Sequence, residues 1–373
     1  MLAALSGISP QQAAADLREA IAEGLVLPTE PAYESDGRAP AGTITYALLH
    51  DRVQQAAYEL IAPEERQLVH LRIGRRLRER MRREGTDESL FDVVQHLNLG
   101  RGLITDHVER VELARLNLEA AGKAKSSTAY QAAREYLTAG KDLVSGTQSE
   151  VDPDLALALH LEGAESEYLC RNFDEVDRQI EPLLAQARTN LDKARVYKLQ
   201  SVQYENLSRF AEALAVARKS LALFGVWLPE SKEEKHAALE SEIEKIQHLL
   251  GERSIESLVD LPPMTDPEVR MVMNILTGIW SSTYILGDVV LARLLSATMV
   301  RLSLIHGNLA ESAYGYVTHA ITVGPVRGDY QTAYEFGLLA LRVNERLNDS
   351  TQRAKIHQQF HAHVNLWRKP MQS

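Results

Sequence analysis

Residues 209–217, RFAEALAVA, place an aromatic side chain, Phe210, three positions before a small one, Ala213. The same spacing occurs in four other stretches, with valine replacing the ring in the third: AYQAAREYL (129–137), NFDEVDRQI (172–180), DVVLARLLS (288–296) and DYQTAYEFG (329–337). In a helical hairpin, the first residue would open the second helix, and the smaller one would let the two helices approach closely. We therefore expect Phe173 and Phe210 to be buried between paired helices.

These copies recur at a nearly constant distance along the chain. Their first positions are 130, 173, 210, 289 and 330, which gives intervals of 43, 37, 79 and 41 residues. The interval of 79 corresponds to two periods with one degenerate copy. Because a single hairpin cannot bury its apolar face alone, neighbouring hairpins stack. The pattern predicts a tetratricopeptide-like α-solenoid from about residue 110 onward.

A charged and proline-rich segment interrupts this repeat. Residues 229–268 contain a highly charged stretch that predicts a helix, followed by a turn-rich linker, and the missing copy falls here. We expect this segment to divide the solenoid into a first lobe at 110–228 and a second, truncated lobe at 269–373.

The N-terminus has an order of elements typical of a winged helix. Ser9 can cap a first helix, Gly24 can end it, and two strand-like stretches, LVLP and TITYALL, flank a turn-rich segment. This order predicts a winged-helix domain at 1–62, with a small β-hairpin, followed by basic linking helices at 63–109. The fold class is mainly α. DNA binding through the first helix is disfavoured because that helix is acidic.

Charge is distributed unevenly along the chain. The net charge of −10 argues against a general affinity for nucleic acid, yet Arg66–Arg83 holds eight arginines and one acid. One interpretation is a helix whose arginines face water. Another is a docking surface for an acidic partner domain, with Arg75, Arg76, Arg82 and Arg83 as its contact residues.

The sequence contains no recognisable constellation for catalysis or metal binding. Two Gly-Lys pairs lack the upstream glycine and the Ser/Thr of a phosphate-binding loop. His357 and His361 lie four apart, which is suitable for metal binding on a helix, but no acid or cysteine is close by in sequence. We expect no catalytic residue, no metal and no cofactor in this chain itself.

Cysteine content and hydropathy favour a cytoplasmic protein. Cys170 is the single cysteine, which fits a reducing compartment. No apolar run approaches the ~18 residues that span a bilayer, and the N-terminus lacks the features of a signal peptide. We expect no membrane partner.

Residues 46–61, YALLHDRVQQAAYELI, place a histidine and an aspartate where a strand gives way to a helix. This stretch resembles the end of the winged-helix domain in STAND-class signalling ATPases, where Met or Leu, His and Asp precede an apolar helix. Leu49, His50 and Asp51 match those positions. Further stretches resemble the helical region of bacterial multi-sensor serine/threonine or histidine kinases that contain such an ATPase: LHLRIGRRL, LFDVVQHLNLG, DLPPMTDPEV and SAYGYV.

The resemblance implies roles for this pair. In STAND ATPases the histidine contacts the β-phosphate of ADP and holds the ATPase closed, which implies that His50 contacts ADP in the full-length protein. Asp51 would cap the helix and thereby orient the histidine. Alternatively, the pair caps this helix and has no contact with a nucleotide. The nucleotide, ADP or ATP, would be held by an adjacent ATPase domain, which is the expected partner.

The chain therefore resembles a regulatory sensor and interaction module, without chemistry of its own. It would couple an unknown ligand or protein on the solenoid to the nucleotide state of the ATPase. Because Walker A, Walker B and kinase glycine-loop motifs are not recognisable, we expect an internal fragment that lacks the ATPase core. A plain tetratricopeptide-type binding scaffold is the alternative. A winged-helix transcription regulator is a third, but its C-terminal DNA-reading domain is not recognisable.

Overall fold

The computed structural model describes residues 8–28, 46–84, 90–145 and 152–367. Within these residues the protein is mostly helical, with one small two-stranded sheet. The contacts divide the chain into two compact units, Met1–Ser166 and Glu167–Ser373.

The first unit begins with a helix, a short hairpin and a second helix. Helix α1 (Pro10–Ala22) is capped by Ser9, whose hydroxyl accepts from the backbone N–H of Gln12. Strand β1 (Val26–Pro28) pairs antiparallel with β2 (Tyr46–Leu48), and helix α2 (Asp51–Glu59) follows. The predicted turn-rich segment and the start of the second predicted strand lie outside the described residues.

Five further α-helices begin among the described residues of the first unit: α3 (Pro63–Glu84), α4 (Leu90–Leu99), α5 (His107–Ser126), α6 (Tyr130–Val144) and α7 (Pro153–Leu169). Their core contains buried leucines, among them Leu71, Leu97 and Leu113. Helices α3 and α4 approach closely at Gly74, where an added methyl group would lie 2.7 Å from the Leu97 side chain and 2.9 Å from its backbone nitrogen.

The second unit contains nine further helices among its described residues: α8 (Phe173–Gln186), α9 (Asn190–Asn206), α10 (Phe210–Ala222), α11 (Lys232–Leu250), α12 (Pro267–Ile285), α13 (Val289–His306), α14 (Ala310–Arg327), α15 (Tyr330–Leu347) and α16 (Arg353–Gln359). Helices α9 to α16 contribute to one hydrophobic core. By length and apolarity α13 could cross a membrane, but 67% of it is buried inside the protein. Its composition is therefore that of a core helix. The cytoplasmic location stays a prediction.

The predicted helix starts are confirmed. Helices α6, α8, α10, α13 and α15 begin at the first positions of the five sequence copies. Each follows a turn whose second residue before the helix has a left-handed backbone: Thr128, Arg171, Ser208, Gly287 and Gly328. The small residue three positions into each helix is buried: Ala133, Val176, Ala213, Ala292 and Ala333. One local turn geometry is therefore repeated five times.

The burial expected for Phe173 and Phe210 is wrong. Both side chains are only half-buried, whereas Val176 and Ala213 are fully buried. The opening residue lies at the end of its helix, beside the turn, where solvent reaches part of the ring. Close packing takes place one turn further into the helix.

The predicted division at residues 229–268 is not where the contacts divide. Helix α11 packs against α13 and buries Leu239, Ile243 and Ile246. Beyond it, the proline-rich stretch is fixed to the loop after α13, because the N–H of Asn308 donates to Pro262 (2.8 Å) and its carbonyl accepts from Met264 (2.9 Å). The boundary at 166/167 instead falls inside the predicted first lobe.

Candidate functional site

His50 lies at the junction of β2 and α2. It is the N-cap of α2, with an extended backbone (φ −149°, ψ 144°), and its side chain is exposed. Its Nδ1 accepts from the backbone N–H of Arg52 at 3.5 Å. Because Nδ1 acts as the acceptor, the neutral ring carries its proton on Nε2. His50 can therefore present a hydrogen-bond donor to a group outside the helix.

The expected capping role of Asp51 is wrong. The cap bond comes from His50, because His50 has the extended backbone that a capping residue needs. Asp51 is the first helical residue and is exposed. Its carboxylate is placed to interact favourably with the positive end of the helix dipole. The contact of His50 with ADP stays a prediction.

One face of the small sheet beside His50 is apolar and open. Val26 is buried, whereas its partner Leu48 is 40% exposed, so that side of the hairpin is only partly covered. On the other side Leu25, Leu27 and Leu49 are 41%, 43% and 57% exposed. Within its described bounds, α2 contains no buried residue either. Exposed apolar side chains therefore lie on the hairpin that precedes His50.

The arginines of α3 have acidic partners within the first unit. Arg75 makes a bidentate pair with Glu109 on α5 (Nε–Oε1 2.8 Å, Nη2–Oε2 2.6 Å). Arg78 reaches both Glu109 (3.5 Å) and Glu112 (3.2 Å), and Arg82 also pairs with Glu112. The hydrogen bond from Arg75 lowers the pKa of Glu109 below its ordinary value, despite partial burial.

This pairing corrects the predicted docking surface. All four predicted arginines are solvent-exposed, as expected. Arg75 and Arg82, however, are already paired with α5. Arg76 pairs with Glu79 of its own helix (3.3 Å), and Arg83 donates to the Glu79 carbonyl (3.4 Å). Only Arg76 and Arg83, of the four, keep a guanidinium that is not engaged by another helix among the described residues.

The structure also brings together three side chains that sequence reasoning missed. The Nδ1 atoms of His70 on α3 and His96 on α4 are 2.8 Å apart. Nε2 of His70 lies 3.2 Å from the hydroxyl of Tyr58 on α2. Burial lowers the pKa of both histidines, and that of His96 is lowered further by His70. No local pattern links these residues because they lie 12 and 26 positions apart.

Metal-ligand geometry is not found within the described part of the chain, where no three His, Cys, Asp or Glu side chains are grouped to hold an ion. The rings of His357 and His361 stack with centroids 5.9 Å apart. These two histidines, four residues apart, therefore contact each other through their rings.

No protein-family model matches the chain. The chain is similar to hybrid signal transduction histidine kinase G of Dictyostelium discoideum, with 24% identity over 349 residues. The similarity covers 82% of this chain and 10% of that protein, so the chain spans about a tenth of its relative's length. The similarity indicates a signalling-related protein.

Proposed function

We propose that this chain is a regulatory module of a larger signalling ATPase or kinase. In this proposal residues 1–62 form a winged helix and the later hairpins form a tetratricopeptide-like solenoid. The solenoid binds a ligand or protein, and the N-terminal domain transmits its occupancy to an adjacent ATPase domain. Similarity to a small part of a much longer signalling kinase supports this arrangement.

The observation that carries the proposal is the placement of His50. Its exposed ring projects from the start of a helix, its Nδ1 is turned to the backbone, and Nε2 is left as the outward donor. A diphosphate would accept this hydrogen bond from Nε2 while Nδ1 keeps the cap bond of the helix. A domain that covers Leu25, Leu27 and Leu49 would bring its nucleotide to this donor and remove apolar surface from water.

The experiment compares two substitutions of His50 in the complete protein that contains the ATPase domain. We expect His50→Ala to weaken ADP retention about 10- to 100-fold, the equivalent of one hydrogen bond to a charged group, and to raise basal output. His50→Asn is the matched control because asparagine is a good N-cap but lacks the imidazole. If His50 contacts ADP, both variants lose retention. If it only caps α2, His50→Asn keeps wild-type retention.

The alternative is a plain tetratricopeptide-type scaffold without nucleotide coupling. It is favoured by the repeated turns and buried small residues, which alone would suffice to build a binding surface. Wild-type ADP retention and basal output in both His50 variants would support this scaffold and contradict nucleotide sensing.

A further inference from the structure

Helix α2 is attached to the helices that follow it through a small cluster of rings. Among the described residues, its hydrogen bonds and ring contacts to α3 involve Tyr58 and the carbonyl of Glu59. The Tyr58 hydroxyl meets His70, and the guanidinium of Arg66 lies 4.8 Å from the centre of the Tyr58 ring. Since α2 buries none of its residues, this cluster is its main attachment.

The distance between the two histidines sets the number of protons they can hold while in contact. Nitrogen atoms 2.8 Å apart form a hydrogen bond only if one carries a proton and the other does not. With both rings neutral, either histidine can be the donor, and the Tyr58 hydroxyl can donate to or accept from Nε2 of His70. With both rings protonated, two N–H groups and two positive charges would face each other. The contact then cannot exist.

Burial opposes even the first proton on His70, because it lowers the pKa of that ring. Arg66 from the same helix places its positive charge against the ring of Tyr58, the partner of His70. Asp92 on α4 favours the charged form of His96, but burial and the neighbouring His70 outweigh it, so the pKa of His96 is lowered. The pair is therefore neutral when the cluster is intact near neutral pH.

We propose that the His70–His96 pair is an acid-sensitive latch that holds α2, the helix headed by His50, to α3 and α4. Separated histidines in water each take up a proton near pH 6.5, whereas the pair in contact holds at most one. Acidification therefore favours separation. Tyr58 then loses the ring that positions it, and α2 is released.

Amide hydrogen exchange of the whole chain tests this latch between pH 7.5 and 5.5, with rates corrected for intrinsic pH dependence. We expect the protection of residues 51–60 to fall by about 10- to 100-fold per pH unit below pH 6.5, because the neutral pair takes up one to two additional protons on release. Amides in α5 (His107–Ser126) should keep their protection. His50 caps α2 through its imidazole, so the series is measured in a His50→Asn background, in which the cap has no imidazole.

Two substitutions separate the latch from general acid sensitivity. Because glutamine can donate to or accept from His70 without titrating, His96→Gln should reduce the fall in protection to less than half of the parent's on a logarithmic scale. Tyr58→Phe removes the hydroxyl, so α2 should already exchange faster at pH 7.5 and change little on acidification. If α5 loses protection in His96→Gln, that variant is misfolded and His70→Gln replaces it. Constant protection in the parent, or an unchanged fall in the glutamine variant, would overturn the proposal.

Discussion

His319 is a buried imidazole in the middle of α14. Its Nδ1 has no hydrogen-bond partner, and its ring lies edge-on to Phe336 with centroids 5.1 Å apart. Burial, helped by the positive charge of Arg327, lowers the pKa of His319 to about 4. Because the unfolded chain binds this proton near pH 6.5 and the folded chain does not, folding stability falls as pH drops from about 6.5 to 4.

We expect the acid sensitivity of the second unit to weaken when this group is removed. Between pH 7 and pH 4, the unfolding free energy of wild type should fall by up to about 3 kcal/mol more than that of His319→Leu. Urea unfolding at a series of pH values measures this difference. His236→Gln serves as the control because His236 is exposed. Parallel pH profiles for wild type and His319→Leu would contradict the assignment.

At the scale of residues, only local relations could be predicted. The position of His50 at a strand–helix junction follows from adjacent residues, and its side chain is exposed there. Which of His50 and Asp51 caps the helix depends on one backbone conformation, and the sequence does not distinguish them. The His70–His96 contact joins different helices, so only the packing of α3 on α4 reveals it.

At the scale of elements, the turn before α13 shows how backbone conformation determines the choice of residue. Gly287 has a φ of +77°, and an alanine methyl group would meet no atom within 4 Å. Gly278, nine residues earlier in the interior of α12, has equally free surroundings but a helical backbone. An added methyl group therefore causes no clash at either site, and the two sites differ only in backbone conformation.

The two alanine substitutions should change stability in opposite directions. Gly287→Ala should cost about 1–2 kcal/mol, because a side chain disfavours the left-handed conformation. Gly278→Ala should stabilise by about 0.5–1 kcal/mol, because alanine loses less entropy than glycine in a helix. Thermal and urea unfolding of the two variants measure the signs. The same sign in both would show that the turn is not left-handed in solution.

The helical elements were largely predictable because their signals are local. Five helix starts follow from a residue, its turn and a small residue three positions later. The role of residues 229–268 was not predictable, because charges and prolines are typical of a linker. The end of this segment is fixed by Asn308, which is remote in sequence and hydrogen-bonds to both Pro262 and Met264.

At the scale of the whole molecule, charge is balanced within one unit more than the sequence indicates. The basic run of α3 directs Arg75, Arg78 and Arg82 toward two glutamates, Glu109 and Glu112, some thirty positions later. Sequence alone shows the run, but not which face meets α5. The predicted external acidic partner is thus partly supplied by the chain itself.

Removing one of these two glutamates should lower the stability of the first unit. Because Glu109 is only 9% exposed and pairs with both Arg75 and Arg78, Glu109→Gln should cost about 2 kcal/mol in unfolding free energy at pH 7. The lowered pKa of Glu109 means that this contribution is present above about pH 4.5 and is lost as the carboxylate protonates below it. Urea unfolding measures the loss of stability, and amide exchange shows whether α5 loses protection.

An exposed pair on the same helix provides the comparison. Arg76 and Glu79 are 52% and 55% exposed, so solvent screens their attraction. We expect Glu79→Gln to change stability by less than about 0.5 kcal/mol. Equal losses in the two variants would mean that Glu109 contributes no more than a surface charge.

The bridge between Pro263 and Asn308 also determines the order in which the second unit is completed during synthesis. Helical hairpins form from neighbouring segments and can fold soon after they leave the ribosome. The stretch before α12 cannot, because its partner is 45 positions further along the chain. Until Asn308 emerges, the carbonyl of Pro262 lacks its donor, and the carbonyl of Leu258 has only the local one from Leu261. A nascent chain halted before that point would keep its early hairpins while this stretch stayed open to proteases.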